Sequence, residues 1–273
     1  VSIGILTNVS SISAANRVSV TSRNMARSME RLSSGMRINS AADDAAGVAV
    51  ATGLEATTRS LQQAQRNAND AAAMLQTVEG AYGNVSDVMI RMRELAVQAA
   101  NDTLTDSDRT NLNTEFTQLV SEIDRISEVT EFNGTSLMNA ANTFTFQVGS
   151  KNDANHQLKV DLVQVDAAFL KVDAAKIETL ADAQAALDSI DEGLVELNEE
   201  RAVVGANINQ LTWAADSLGV SNENLSRALA QIRDVDIAQE SANFTSQQVL
   251  MQAGVSMLSQ ANAQPNLALR LLG

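Results

Sequence analysis

Cysteine is absent from the 273 residues, and histidine and proline each occur once, as His156 and Pro265. Without thiols there can be no disulfide, no thiol nucleophile and no cysteine-based zinc site. A single imidazole excludes any metal site that needs two histidines, the H-E-x-x-H arrangement included. A Ser–His hydrolase would have to depend on His156, which stands in the polar run 151–157 and reads as a solvated surface residue. No catalytic, metal or cofactor constellation stands out, and an enzyme is not expected. Aromatic residues make up 3% of the chain against 45% hydrophobic overall, so the apolar content is mostly Ala, Leu, Val, Ile and Met. That composition suits helix seams better than the core of a β-sandwich. Acidic residues outnumber basic ones 33 to 19, a net charge of −14, which argues against a chain that coats nucleic acid. The longest apolar stretch, around 45–51, is far short of the ~20 residues needed to span a bilayer, so no membrane partner is expected. Residues 1–8 carry no basic stretch, apolar stretch or cleavage site of a secretory signal. By these tests alone the protein reads as cytosolic.

What is present is periodicity. Leu61, Ala64, Ala68, Ala71, Leu75, Val78, Tyr82, Val85, Met89, Met92, Ala96 and Ala99 follow one another in alternating steps of three and four, the pattern of a helix with one continuous apolar seam. A second run goes from Leu187 through Ile190, Leu194, Leu197, Arg201, Val204, Ile208, Leu211, Ala215, Leu218, Asn222, Leu225 and Leu229 to Ile232, interrupted only by Arg201 and Asn222. A helix of that length would extend on the order of 70 Å, longer than a compact domain of this size uses. A shorter helix reads from Leu112 to Ile126, with Thr105 and Asp108 placed as a capping box before it. Asn133-Gly134 marks a turn, after which the period changes to two in Phe144, Phe146 and Val148 and again in Leu158, Val160, Leu162 and Val165. These predict one β-hairpin with a long polar loop, near 143–166.

Both ends carry thinner seams. Ala15, Val18, Ser22, Met25, Met29, Leu32 and Met36 keep the three-four spacing, as do Phe244, Gln248, Met251, Val255 and Leu258. Neither is strong enough to hold a helix alone in water. Periodicity leaves two arrangements open, a pair formed by the two ends or two frayed arms. The N-terminal segment also carries Arg17, Arg23, Arg27, Arg31 and Arg37 against Glu30. These suit either an acidic partner or nucleic acid, or the outer face of a helix packed on an acidic neighbour. With no aromatic interleaved to stack bases, packing is the favoured reading.

Residues 31–47, RLSSGMRINSAADDAAG, resemble the N-terminal signature of bacterial flagellins. The resemblance continues in LQTVEG at 75–80, RMRELAVQAAN at 91–101 and EFNG at 131–134. It resumes in EERAVVG at 199–205, IRDVD at 232–236, ESANFT at 240–245 and QAN at 260–262, followed by Pro265 and a Leu-rich tail. The resemblance implies a mainly α fold: an elongated rod of long antiparallel, coiled-coil-like helices with one β-hairpin. Its terminal helices pair as a coiled coil on assembly. It implies an N-terminal inner-tube helix at 1–40, a helical rod domain at 41–240 and a C-terminal inner-tube helix at 241–273, without the variable outer domains of larger family members. Val18, Met25, Met29, Leu32, Met36, Phe244, Met251, Val255 and Leu258 would form the inner-tube coiled coil.

The implied function is that of a subunit of the flagellar filament, the helical propeller of swimming bacteria. The nearest rival is the hook–filament junction protein, whose Asp-Asp box tends to contain proline where this chain reads AADDAA at 41–46. Family members leave the cell unfolded through a type III export channel with no cleaved signal, which revises the cytosolic reading to an extracellular one. The implied partners are other copies of the chain, an export chaperone at 244–272, and hook-associated and cap proteins. Vertebrate Toll-like receptor 5 would contact Arg91, Leu95 and Glu115, although Ile90 stands where recognised members often have Gln. An inflammasome sensor would read 267–272. The hairpin residues Phe144, Phe146, Val148, Leu158 and Val160 are implicated in filament switching.

Overall fold

A computed structural model describes residues 7–272, with side chains through Gln264. The fold is mainly α, 74% helical. The helices are α1 (Val9–Ser34), α2 (Ala45–Ala99), α3 (Asp106–Val129), α4 (Leu180–Arg233) and α5 (Ile237–Leu272). Between α3 and α4 lie β1 (Glu131–Phe132), β2 (Thr135–Ser136), β3 (Asn142–Gln147) and β4 (Gln157–Leu162). Each helix begins on a residue that accepts from the free N–H groups of its first turn. Asn8 accepts from Ser11 N–H at 3.1 Å, Asp44 from Gly47 N–H at 2.9 Å, and Thr179 from Asp182 N–H at 3.1 Å. Asp236 accepts from Ala238 and Gln239. The expected capping box at α3 is present, Thr105 accepting from Asp108 N–H while the Asp108 carboxylate accepts from Thr105 N–H at 3.1 Å.

The chain divides into two compact units: residues 57–223, and the segments up to 56 and from 224 onward, with α2 and α4 contributing to both. In the central unit every position of the α2 seam from Leu61 to Ala99 is buried. It meets Phe116, Ile123 and Ile126 of α3 and Ile190, Leu197, Val204, Leu211 and Ala215 of α4. Strands β3 and β4 form the expected hairpin, pairing antiparallel with Phe144 opposite Val160 and Phe146 opposite Leu158. Val160 and Leu162 face the core. A second, two-stranded hairpin, β1–β2, forms around Asn133 and Gly134, whose φ angles of 51° and 75° are those of a tight hairpin turn. Sequence reading placed only a turn there. His156 sits in a single 3-10 turn before β4 and is half-buried against Gly149, where any side chain would collide with the imidazole. It is therefore less solvated than expected.

Strand β4 ends at Leu162, so Val165, expected in the hairpin, lies beyond it. Residues 167–179 carry no periodic signal, yet Val165, Ala167, Leu170, Val172 and Ile177 are all buried. α3 holds this strap by side-chain acceptors: Ala167 N–H donates to Asp124 Oδ1 at 2.9 Å and Ile177 N–H to Asn113 Oδ1 at 3.0 Å. Gly193 admits it against α4, because a Cβ there would come within 2.5 Å of the Leu170 carbonyl oxygen.

In the other unit α1 packs along α5, so the two ends form a pair rather than frayed arms. Asn8 Nδ2 donates to Ala261 O at 2.7 Å, and Ser11 Oγ to Asn262 Oδ1 at 2.6 Å. At the opposite end of the pair α1 stops at Gly35, whose φ of 72° closes the helix. There Val235 N–H donates to Gly35 O and Arg37 N–H to Arg233 O, while Arg233 pairs with Glu55 at 2.9 Å. These contacts put residues 41–56 and 224–240 in the same unit as the terminal helices. The unit boundaries thus differ from the divisions expected at 40/41 and 240/241.

Arg109 secures the turn from α2 into α3. Its buried guanidinium donates to Ala99 O at 2.9 Å and Asn101 O at 3.0 Å, and reaches Asp106 at 3.0 Å. Arg109→Ala should cost about 3 kcal/mol, since it removes a buried side chain and the guanidinium donor of the buried Ala99 carbonyl. Arg109→Lys should not restore it, because a point charge cannot reproduce the planar fork. Urea denaturation of the two variants checks this.

Candidate functional site

Among the described residues there is no cluster of His, Asp or Glu able to hold a metal ion, and no helix long and apolar enough to cross a membrane. The features with functional content are surfaces. The first is the pair α1–α5. Its buried and half-buried positions on α1 are Ser11, Ala14, Val18, Thr21, Asn24, Met25, Ser28, Arg31 and Leu32; on α5 they are Glu240, Phe244, Gln247, Met251, Gly254, Leu258 and Ala261. Val18, Met25, Leu32, Phe244, Met251 and Leu258 thus line the contact, and Met36 is half-buried beyond it.

Met29 and Val255 do not line it. Met29 is 54% exposed while Ser28 beside it is 7% exposed, and Val255 is 52% exposed while Gly254 faces α1. The positions between the shared ones lie one residue earlier than expected on both helices, at 14, 21 and 28 and at 247 and 254. From Val18, steps of three-then-four and four-then-three both satisfy a heptad, and hydrophobicity favoured the larger residue. Close helix approach chose the smaller. A Cβ on Gly254 would lie 2.9 Å from Val18 Cγ2.

Met29, Val255 and their neighbours Val9, Ile12, Val20, Val249, Leu250 and Met257 are left as exposed apolar side chains. Val9, Ile12, Val20, Leu250 and Met257, with Arg17, line a groove of about 1160 Å³ along the pair. The expected acidic neighbour of the arginines is nearly absent. α5 supplies Glu240 to Arg31 at 3.9 Å; Arg37 instead donates to Ile232 O, and Arg23 to Ser19 Oγ.

The second surface is on the central unit. Arg91 donates to Glu115 Oε1 from Nε at 3.0 Å and Nη2 at 2.8 Å, and to Glu94 at 2.9 Å. The carboxylates of Glu94 and Glu115 raise the guanidinium pKa above its usual value. Arg91 and Glu115 therefore share one solvent-facing spot, as neighbouring contacts require. Leu95 does not join them: it is 1% exposed and faces the core, because it falls on the buried side of α2 with Met92 and Ala96. Two residues on, and turned away from this spot, Arg93 pairs with Asp191 of α4 at 2.7 Å and holds that carboxyl below the ordinary range.

Further along the core, Arg201 interrupts the α4 seam and donates to Glu79 Oε1 of α2 at 2.7 Å from Nη2. Burial, with Glu200 and Glu79 close by, raises the phenol pKa of Tyr82 beside it. The hairpin is tied to α2 by Asn67 Nδ2, which donates to Gln147 O at 3.0 Å. Phe144 and Phe146 stack at 6.4 Å and, with Val148 and Leu158, are half-buried against the core, whereas Val160 is fully buried. The Leu-rich segment 267–272 lies outside the residues whose side chains are described.

Family profiles decide the identity. Residues 5–143 match the bacterial flagellin N-terminal helical region, and residues 187–272 match the C-terminal helical region. This chain belongs to the bacterial flagellins. It is 41% identical to a flagellin of Halalkalibacterium halodurans, over 97% of this chain and 98% of that one. It is 37% identical to the flagellar filament 31.3 kDa core protein of Treponema maltophilum, with the same two coverages. Among solved structures the crystal structure of Bacillus cereus flagellin matches with a TM-score of 0.50 at 32% identity, covering 56% of this chain and 88% of that one. A putative flagellar hook-associated protein from Vibrio parahaemolyticus matches with a TM-score of 0.59 over 70% of this chain and all of that one, but at 16% identity, which speaks to the fold alone. The flagellin matches run through the long helices and both ends of the chain, where the apolar surfaces described above lie.

The register of the terminal pair is testable in the flagellin monomer. Gly254→Leu should weaken the α1–α5 contact by about 1–3 kcal/mol through overpacking against Val18, while Val255→Ala should change it by less than about 0.5 kcal/mol. Hydrogen exchange of the α1 amides reads the difference.

Proposed function

We infer that this chain is a structural subunit that self-assembles into the bacterial flagellar filament, an extracellular structure that drives swimming. The observation that carries the reading is the near-full-length identity to flagellins and filament core proteins. A physical feature supports it: the terminal helices meet along a seam in which large apolar residues such as Val18, Met25 and Met251 are interleaved with small or polar ones such as Thr21, Ser28 and Gly254, while Val9, Ile12, Leu250 and Met257 stay in water. Exposed apolar surface of that extent is unfavourable in a monomer and is removed by packing against further copies. The hook–filament junction protein is not favoured, since the hook-associated relative shares only the fold.

The finer assignments follow from the same reading. The segments 1–40 and 241–273 act as inner-tube helices and 41–240 as the rod domain. The chain is exported unfolded without a cleaved signal, with the export chaperone holding 244–272, and works without enzymatic activity. Hook-associated and cap proteins bound the polymer at its ends. The β3–β4 hairpin takes part in switching between packings, an assignment supported by its attachment to α2 through Asn67 and Gln147 and by the bistability of sliding helix interfaces. Arg91 and Glu115 form the polar part of a Toll-like receptor 5 contact, with Leu95 acting from below by holding α2 in place.

Negative-stain electron microscopy of seeded protein tests the main reading. Filaments of uniform diameter are expected; stubs or none, where another flagellin assembles, would count against it. Deleting 1–36 or 244–273 should abolish polymerisation while the central unit keeps its helical circular dichroism. Arg91→Ala should lower receptor activation without lowering the melting temperature, whereas Leu95→Ala should cost about 2–5 kcal/mol of stability. A receptor-reporter assay beside thermal melts separates the two effects.

A further inference from the structure

The central unit carries 11 basic and 26 acidic residues, a net charge of −15 for residues 57–223. Two such bodies repel, and bringing their carboxylates together out of water adds a desolvation cost. α4 departs from this composition over one stretch. From 202 to 222 Asp216 is the sole charged residue.

That stretch carries two heptad seams. The inner one, Val204, Ile208, Leu211, Ala215 and Leu218, packs into the core. The other is Val203, Ala206, Gln210, Trp213, Ser217 and Val220, again in steps of three and four, and every member is exposed. At 100° per residue the two seams lie on opposite sides of the helix. Trp213, the one tryptophan of the chain, is 72% exposed at the middle of the outer seam.

We propose that this outer seam of α4 is a subunit interface, received by a helical face of a second copy of the chain. The proposal rests on the filament reading and assigns one of its contacts. A heptad seam is the surface a second helix packs against. A neutral stretch on a strongly acidic body is where a like-charged copy can approach with least repulsion and without burying unpaired carboxylates. The seam centres on a large aromatic anchor, Trp213, with uncharged Gln210 and Ser217 on either side and valines at both ends. A central tryptophan ringed by less critical contacts is the arrangement of an interface hot spot. In an open filament the contact is heterologous, so the receiving face is a different surface of the neighbour.

Trp213 is also the probe. In the full-length chain its emission and its quenching by acrylamide are compared in monomer and in sedimented filaments. A blue shift and a several-fold fall in the quenching constant on assembly are expected. Trp213→Ala should raise the critical concentration for seeded assembly at least about tenfold, the effect of losing one well-buried large side chain. Its monomer melting curve should stay unchanged. If the wild-type chain forms no filaments, the filament reading falls and the proposal with it. If it forms filaments in which Trp213 stays as quenchable as in the monomer, or Trp213→Ala assembles at the wild-type concentration, the proposal alone is overturned.

Discussion

The burial of one face of α2 is the contact on which the rest of the central unit depends. Its seam sets large side chains in the middle (Leu75, Tyr82, Met89) between alanines on either side (Ala68 and Ala71, Ala96 and Ala99), all out of water. The alanines let neighbouring elements come close, and the large residues fill the space between them, so a chain with few aromatics still closes a dense core. Everything else is fitted to that face: α3 through Phe116 and Ile123, α4 through Ile190 and Leu197, the strap through Leu170 and Ile177. Even the polar interruption is shared, since Arg201 enters the seam of α4 at the point where Glu79 of α2 can accept from it. Removing one such partner would leave the other charged in a partly dry site, so the two positions are constrained as a pair.

This core was legible because periodicity and burial agree where a seam is both apolar and long. The terminal pair was legible only in part. Its shared positions, such as Val18 and Met251, follow from either register, but Met29 against Ser28 and Val255 against Gly254 are choices that hydropathy makes one way and close packing the other. A helix contact built on Gly254, Ser28 and Thr21 offers little apolar signal, because its stabilisation comes from short interhelical distance. The strap was illegible for a different reason. Its apolar residues sit at irregular spacing, and the groups that order it, Asp124 and Asn113, belong to a helix some fifty residues away in sequence. Leu95, which lies in the core, shows the limit of carrying a motif over by residue type: position on the helix, not identity, decides which side chains reach solvent.

Charge follows the same logic of surface against core. The acidic excess of residues 57–223 is balanced locally by exposed pairs such as Arg93–Asp191, Arg125–Glu122 and Lys171 with Glu192 and Glu196. Pairs of this kind contribute little each; what they do is orient the long side chains and leave the remaining carboxylates to keep free subunits apart. A polymerising protein needs that restraint. Its subunits must stay separate until an end is available, yet carry enough apolar surface to join once it is.

The two units solve that problem differently. The central one is closed by its own core and leaves a narrow apolar seam on one helix. The terminal one has no core of comparable depth: among its described residues, apart from Ile38 and Ala51 in the connection and first turns of α2, the buried positions are Ser28 and Glu240. Two helices whose seam takes a small or polar residue at every other position, and whose larger residues are only half-buried, gain less from hydrophobic burial than the central core does, and isolated helices in water are marginal. Their exposed valines, leucines and methionines are then not a defect of folding but the larger part of the apolar surface available to this unit. Stability that a monomer lacks becomes concentration-dependent, supplied by neighbours through mass action. On the proposed assembly, a helix pair that completes its core in the polymer would couple folding of the chain ends to growth of the filament.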